Sequence, residues 1–182
     1  MLAPSATLRE ITDAIAKDRE EGSAGATSDE MSRLYSRART MRDRGLIRAA
    51  NRTSQGKENF FEAADIAAAV VAITISLNGG SIGQIEAING SLRTFDNTQG
   101  IPAFEMNLAR ILAGVPVFIR LDFLSHPWPS TRAKMGTIEE LDIGGNYEWI
   151  DAYGHRCVIT QSNLLPVTTL VHPIFRILTG ED

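Results

Sequence analysis

Apolar residues return at three- and four-residue steps through the first part of the chain, the period of helices that bury one face. Thr7-Leu8-Arg9-Glu10 has the capping-box pattern, and Leu8, Ile11, Ala14 and Ile15 predict an amphipathic helix to about Glu20, with no strand expected ahead of it. Residues 21–27 (EGSAGAT) read as a flexible connection, closed by a second capping box from Thr27 to Glu30. From Ser28, Met31, Leu34, Ala38 and Met41 form one stripe. Asp29 and Glu30 fall in the first turn, where the helix dipole favours anions, and Gly45 follows the last periodic residue, where a left-handed cap is cheapest. A third stripe joins Ile66, Val70, Ile73 and Leu77, with alanines between that let a neighbouring helix approach closely, and Asn78-Gly79-Gly80 ends it. Ser81 and Gln84 make another capping box before Ile82, Ile85, Ile88 and Leu92. Pro102 can open a last short helix through Phe104, Leu108, Ile111 and Leu112, which Gly114 stops.

Strand patterns fill the gaps and the C-terminal part. Leu46-Ile47, then Ala49 to Asn51, lead into the turn residues Thr53-Ser54-Gln55-Gly56, and Phe60-Phe61 closes a short hairpin over 46–61. Val115 to Leu124 is the clearest strand, broken by Pro127, Pro129 and Ser130. Tyr147 to Tyr153 and His155 to Thr160 predict a hairpin around Gly154. Over 162–175 the pattern suits a helix, but Pro166 limits where it can start. The polar, turn-rich stretch 94–101 then divides the chain into a segment 1–93 and an α+β module over 102–182.

Charge gives the helix over 28–44 a second face. Ser32, Arg33, Ser36, Arg37, Arg39, Thr40 and Arg44 lie opposite its apolar stripe. Between Arg33 and Lys57 stand eight basic side chains and one acid, Asp43, a local +7 in a chain whose formal net charge is −4. A basic island in an acidic protein has the form of a phosphate footprint, with a solvated helix face as the plainer alternative. Arg52 and Lys57, near the hairpin tip, would reach the sugar-phosphate backbone, and Tyr35 either touches a phosphate or packs beneath the hairpin.

This order of helix, basic helix, hairpin wing and two further helices resembles the winged helix-turn-helix head of MerR-type transcription regulators. Arg39-Thr40-Met41 ahead of Gly45-Leu46-Ile47 is similar to the arginine and aromatic pair that precede the end of that family's recognition helix, with Thr40 and Met41 where the family has aromatics. Phe60, Phe61 and Asp65 are similar to the residues that follow its wing, and Gly80-Ser81-Ile82-Gly83-Gln84-Ile85 to the start of its fourth helix. The likeness runs to about Arg93 and implies a DNA-binding role for Arg39 and for the wing residues. The family's dimerising coiled coil has no counterpart, since nothing past Arg93 sustains a heptad.

Composition narrows the remaining classes. With 43% hydrophobic and 22% charged residues the chain reads as a soluble globular protein, and no apolar run is long enough to span a bilayer or to follow a basic stretch as a secretory signal. The single Cys157 excludes an intramolecular disulfide and agrees with a cytoplasmic location. His126, His155 and His172 are scattered without acidic or cysteine partners at ligand spacing, so no metal is expected. His155 and Cys157 would share one strand face, an isolated pair without a third group. No phosphate-binding glycine loop occurs. Neither catalysis nor a cofactor is therefore expected. The expectation is an α+β protein with an N-terminal winged helix-turn-helix and a small C-terminal α+β module. It binds double-stranded DNA as a homodimeric transcription regulator through Ser32, Arg33, Tyr35, Ser36, Arg37, Arg39, Thr40, Arg52 and Lys57. The alternatives are a protein-binding adaptor or anti-activator on the same fold, and an excisionase-like architectural DNA-binding factor. The C-terminal module is expected to self-associate, or to take an effector.

Overall fold

The computed structural model describes residues 3–20, 28–49, 51–52, 59–92, 100–126, 129–142, 148–151 and 153–181. The chain is α+β. In order it forms β1 (Ser5–Thr7), α1 (Leu8–Glu20), α2 (Ser28–Asp43), β2 (Asn51–Arg52), β3 (Asn59–Glu62), α3 (Ala63–Leu77), α4 (Ile82–Leu92) and α5 (Ala103–Leu112). The strands β4 (Phe118–His126), β5 (Ser130–Gly136), β6 (Trp149–Ile150) and β7 (Arg156–Pro166) follow, and α6 (Val167–Thr179) ends the fold.

Local signals fix the helix ends. Thr7 and Glu10 bond reciprocally, Thr7 N–H donating to Glu10 Oε2 at 2.7 Å and Glu10 N–H to Thr7 Oγ1 at 3.3 Å, and Ser81 and Gln84 repeat the box. The box proposed at Thr27 lies outside the described residues. Contrary to expectation, a strand does precede α1: β1 pairs antiparallel with β3, Ala6 opposite Phe61, and both side chains are buried. Three residues carry too little alternation to show this. The partner strand decides it. The other edge of β3 takes β2, so the order is β1-β3-β2, and the strand expected from Leu46 is absent over 46–49, where Leu46 and Ile47 are buried as core.

α3 is the centre of the molecule. Every residue from Ile66 to Ile73 is buried, because alanine and valine fill the gaps in the apolar stripe, and neighbours stand on all sides: α1, α4, α5 and α6. In α4, Ile85, Ile88 and Leu92 face inward, whereas Ile82, placed in that stripe by its spacing, is 47% exposed in the first turn.

The second sheet is antiparallel, in the order β5-β4-β7-β6. β5 was hidden in the sequence, since Ser-Thr-Arg-Ala-Lys-Met-Gly follows a proline break and its alternation is confined to Ala133 and Met135. Its pairing from Ser130 to Gly136 along β4 makes it a strand. α4 lies along its outer edge, where Ser91 Oγ accepts the Ala133 N–H at 3.1 Å. β4 alternates between two environments: Ile119 and Leu121 join the main core, while Arg120 and Asp122 point to the other face. There Asp122, fully buried, accepts from Arg120 Nε at 2.8 Å, from Trp149 Nε1 at 2.7 Å and from Ser162 Oγ, and Arg120 Nη1 reaches the Leu141 carbonyl at 3.1 Å. A buried charge is tolerable when paired and hydrogen-bonded in this way. After Pro166 the chain becomes α6, as the proline suggested, and its Val171, Ile174 and Phe175 pack back among α1, α3 and α5. Residues of the segments 1–93 and 102–182 thus share one hydrophobic core.

Candidate nucleic-acid interface

α2 is built to hold one face fixed and present the other. Leu34, Ala38 and Met41 are buried, Met31 packs against the core, and α1 backs the helix. Its end is a Schellman motif: Gly45, at φ 74°, donates to the Arg42 carbonyl at 2.8 Å, and Leu46 N–H donates to the Met41 carbonyl at 2.9 Å. Leu46 then drops into the core, and Asn89 Nδ2 of α4 clasps its carbonyl at 2.8 Å.

The outward face gathers six of the residues expected from the sequence. Ser32, Arg33, Ser36, Arg37, Arg39 and Thr40 are all exposed. Ser32, Ser36 and Thr40 recur at four-residue steps and make a row of small side chains. Arg33 and Arg37 stand on one side of that row and Arg39 on the other. A ridge of small residues between flanking arginines lets a helix approach a surface closely while the long cations reach past it. At about 1.5 Å per residue α2 is roughly 24 Å long, enough to lie along a major groove about 12 Å wide. Thr40 Oγ1 donates to the Ser36 carbonyl at 3.0 Å, so its hydroxyl is left to act as an acceptor. Asp43, the one acid of the basic run, is held by Arg42 at 2.9 Å with Arg39 Nε at 4.0 Å, and Arg39 keeps 63% of its side chain exposed.

Tyr35 stands apart from this face. It is half-buried on the flank toward α1, with the Arg9 guanidinium 4.6 Å above its ring, a cation–π contact that links the two helices. The spacing of α2 alone could not reveal Arg9 as its partner. Arg52 lies in β2, opposite Asn59 of β3. Lys57 and the hairpin tip over 53–58 lie outside the described residues. Beyond the helix, the turn at Gly45 carries the exposed Arg44 and Arg48 to the rim of a cleft of about 370 Å³ that Glu86 and Asn89 also line. Both arginines are in the basic run, but only the turn shows that they leave the helix together.

No family model, curated protein or solved structure matches this chain.

His155 sits in the turn before β7 rather than on the strand, and Asp151 is its acidic partner, Oδ2 3.0 Å from Nδ1. The main-chain N–H of His155, then its ring, and the N–H of Tyr153 hold the Asp151 carboxyl below its ordinary range. This closes an exposed hairpin around Gly154, and the Cys157 thiol approaches the main-chain oxygen of His155 at 4.0 Å. Among the described residues no group of His, Cys, Asp or Glu is arranged to hold a metal ion, and no helix is long and apolar enough to cross a membrane.

Proposed function

We propose that the chain is a sequence-specific DNA-binding transcription regulator of winged helix-turn-helix type, acting in the cytoplasm as a homodimer and without catalytic activity. The observation that carries this reading is the outward face of α2: a row of Ser32, Ser36 and Thr40 flanked by Arg33, Arg37 and Arg39, on a helix whose opposite face is locked into the core. The antiparallel pairing of β2 with β3 supports the reading, since a wing can bring Arg52 and Lys57 to the backbone of a duplex. The strand β1 against β3 adds to the likeness with winged-helix heads, which the sequence alone had left out.

In this reading α2 enters the major groove. Arginines that reach guanine edges set sequence preference, and those that meet phosphates set affinity. Tyr35 acts from its place under Arg9, fixing α2 against α1 and meeting at most a flanking phosphate. Arg44 and Arg48 extend the basic surface past the helix end.

Fluorescence anisotropy tests the proposal, using a duplex from upstream of the protein's own gene and a scrambled duplex of equal length. Tighter binding to the first, falling with salt at a log–log slope of about −0.9 per phosphate neutralised, is the expected result. Failure to bind either duplex at low salt overturns it.

A further inference from the structure

The arginines around the C-terminal end of α2 are used in two ways. Arg42 and Arg39 lean on Asp43, at 2.9 and 4.0 Å. Arg44 and Arg48, before and after Gly45, are exposed and line one cleft of about 370 Å³ against α4. Arg44 N–H donates to the Thr40 carbonyl at 3.1 Å, which continues the helical ladder, so Arg44 falls two turns past Arg37 on the same side of α2. The basic row of the outward face therefore runs on into the cleft.

A helix C-terminus is ordinarily a poor place for an anion, because its last carbonyls point outward. Here those oxygens are engaged. The carbonyls of Thr40, Met41 and Arg42 accept from the N–H groups of Arg44, Leu46 and Gly45, and the Leu46 carbonyl accepts from Asn89 Nδ2 of α4 at 2.8 Å. The charged groups of the cleft are then two guanidinium groups and one carboxylate, Glu86, a formal charge of +1. A Cβ built on Gly45 or Gly90 meets nothing within 4 Å, so the two glycines of the lining border open space. Arg48 also lines a neighbouring cleft of about 240 Å³, where Asp65 and Glu105 disfavour an anion.

We propose that the cleft between α4 and the turn after α2 takes one phosphodiester of a DNA backbone, shared by Arg44 and Arg48, with Asn89 as the residue that positions the turn. This rests on the DNA reading of α2. A diester carries one negative charge, which matches the cleft, and guanidinium forks fit phosphate oxygens. Glu86 within the cleft and the acids beyond Arg48 limit the site to a single phosphate.

Fluorescence anisotropy over a salt series, with the duplex from upstream of the protein's own gene, tests it. Circular dichroism checks that each variant keeps its helices. Arg44→Gln/Arg48→Gln is expected to flatten the log–log salt slope by about 0.9, the value of one phosphate, whereas Arg176→Gln in α6 leaves the slope as it is. Asn89→Ala should flatten the slope of the wild type and add nothing in the double variant. A neutral methylphosphonate walked along both strands should find one position that weakens the wild type roughly tenfold and leaves the double variant unaffected. A wild type that binds no duplex overturns the DNA reading and this inference with it. Binding by the wild type with an unchanged slope in the double variant overturns the cleft alone. So does a slope flattened by about 1.8, which would mean two separate phosphates.

Discussion

Arg39 is the residue on which the functional reading can be tested most sharply. It flanks the Ser32, Ser36 and Thr40 row alone on its side, and the Asp43 carboxylate at 4.0 Å aims it without holding it closely. If it reads a base, Arg39→Ala should remove about 1–3 kcal/mol from binding to the preferred sequence and much less from binding to random DNA. Competition titrations with both duplexes measure this, and equal losses on the two would make Arg39 a phosphate contact only. Asp122 is a residue of another kind, one on which stability can be tested. It is fully buried, and Arg120, Ser162 and Trp149 all donate to it. Asp122→Ala removes a buried carboxylate that accepts three side-chain hydrogen bonds and should destabilise the protein by about 3–5 kcal/mol in urea unfolding. Replacing Arg120 and Asp122 together with leucine or methionine should cost less than the single change. That order would be reversed if the pair itself supplied net stability.

At the scale of elements, what could be read from the sequence was what neighbours in the chain decide. α2 follows from its stripe and from Gly45, and the boxes at Thr7 and Ser81 from reciprocal bonds three residues apart. The outward face of α2 was legible for the same reason, since fixing Leu34, Ala38 and Met41 inward sends Arg33, Arg37 and Arg39 outward. β1 and β5 were not legible, because each is made a strand by a partner distant in sequence: β3 for the first, β4 for the second. The clasp between α5 and the turn after β5 is another such long-range product. Arg110 grips Glu140 with two bonds, at 2.7 and 2.8 Å, and Thr137 N–H donates to the same carboxylate at 2.9 Å. Gly136 is needed for this fit, since a Cβ there would stand 2.7 Å from Glu140 Oε2. The bond from Arg110 first, and that from Thr137 next, hold the Glu140 carboxyl below its ordinary range. A carboxyl depressed in the folded state adds stability above its unfolded pKa of about 4.3 and loses it as the pH falls through the folded value. Both side chains are more than a third exposed, so solvent screening keeps the gain to roughly 1 kcal/mol or less. Glu140→Gln should therefore melt below the wild type at neutral pH, and the two melting temperatures should converge in acid. A gap that persists unchanged into acid would assign the effect to packing rather than to the ion pair.

For the whole molecule, the deciding element is α6. The turn-rich stretch over 94–101 suggested two separable segments, but α6 carries Val171, Ile174 and Phe175, none more than 1% exposed, from the end of the second sheet back against α1, α3 and α5. α3 has apolar residues on every side, so without α5 and α6 it would expose the wall that those two helices cover. α1 rests on α6 and α2 on α1, which makes the position of the basic face depend on a helix at the far end of the chain. Both tryptophans belong to the second segment, whereas α1 to α4 belong to the first and α5 and α6 to the second, so indole fluorescence reports on the second segment and helical circular dichroism mainly on the first. If the shared core makes one cooperative unit, the two signals should follow the same urea transition. Phe175→Ala should then shift both by the same amount, about 3–5 kcal/mol for loss of a buried phenylalanine, although Phe175 lies in the core and the basic face is exposed. Two separate midpoints, with the helical signal indifferent to Phe175, would mean that the first segment stands without α6 and that the DNA-binding face is independent of the C-terminal sheet.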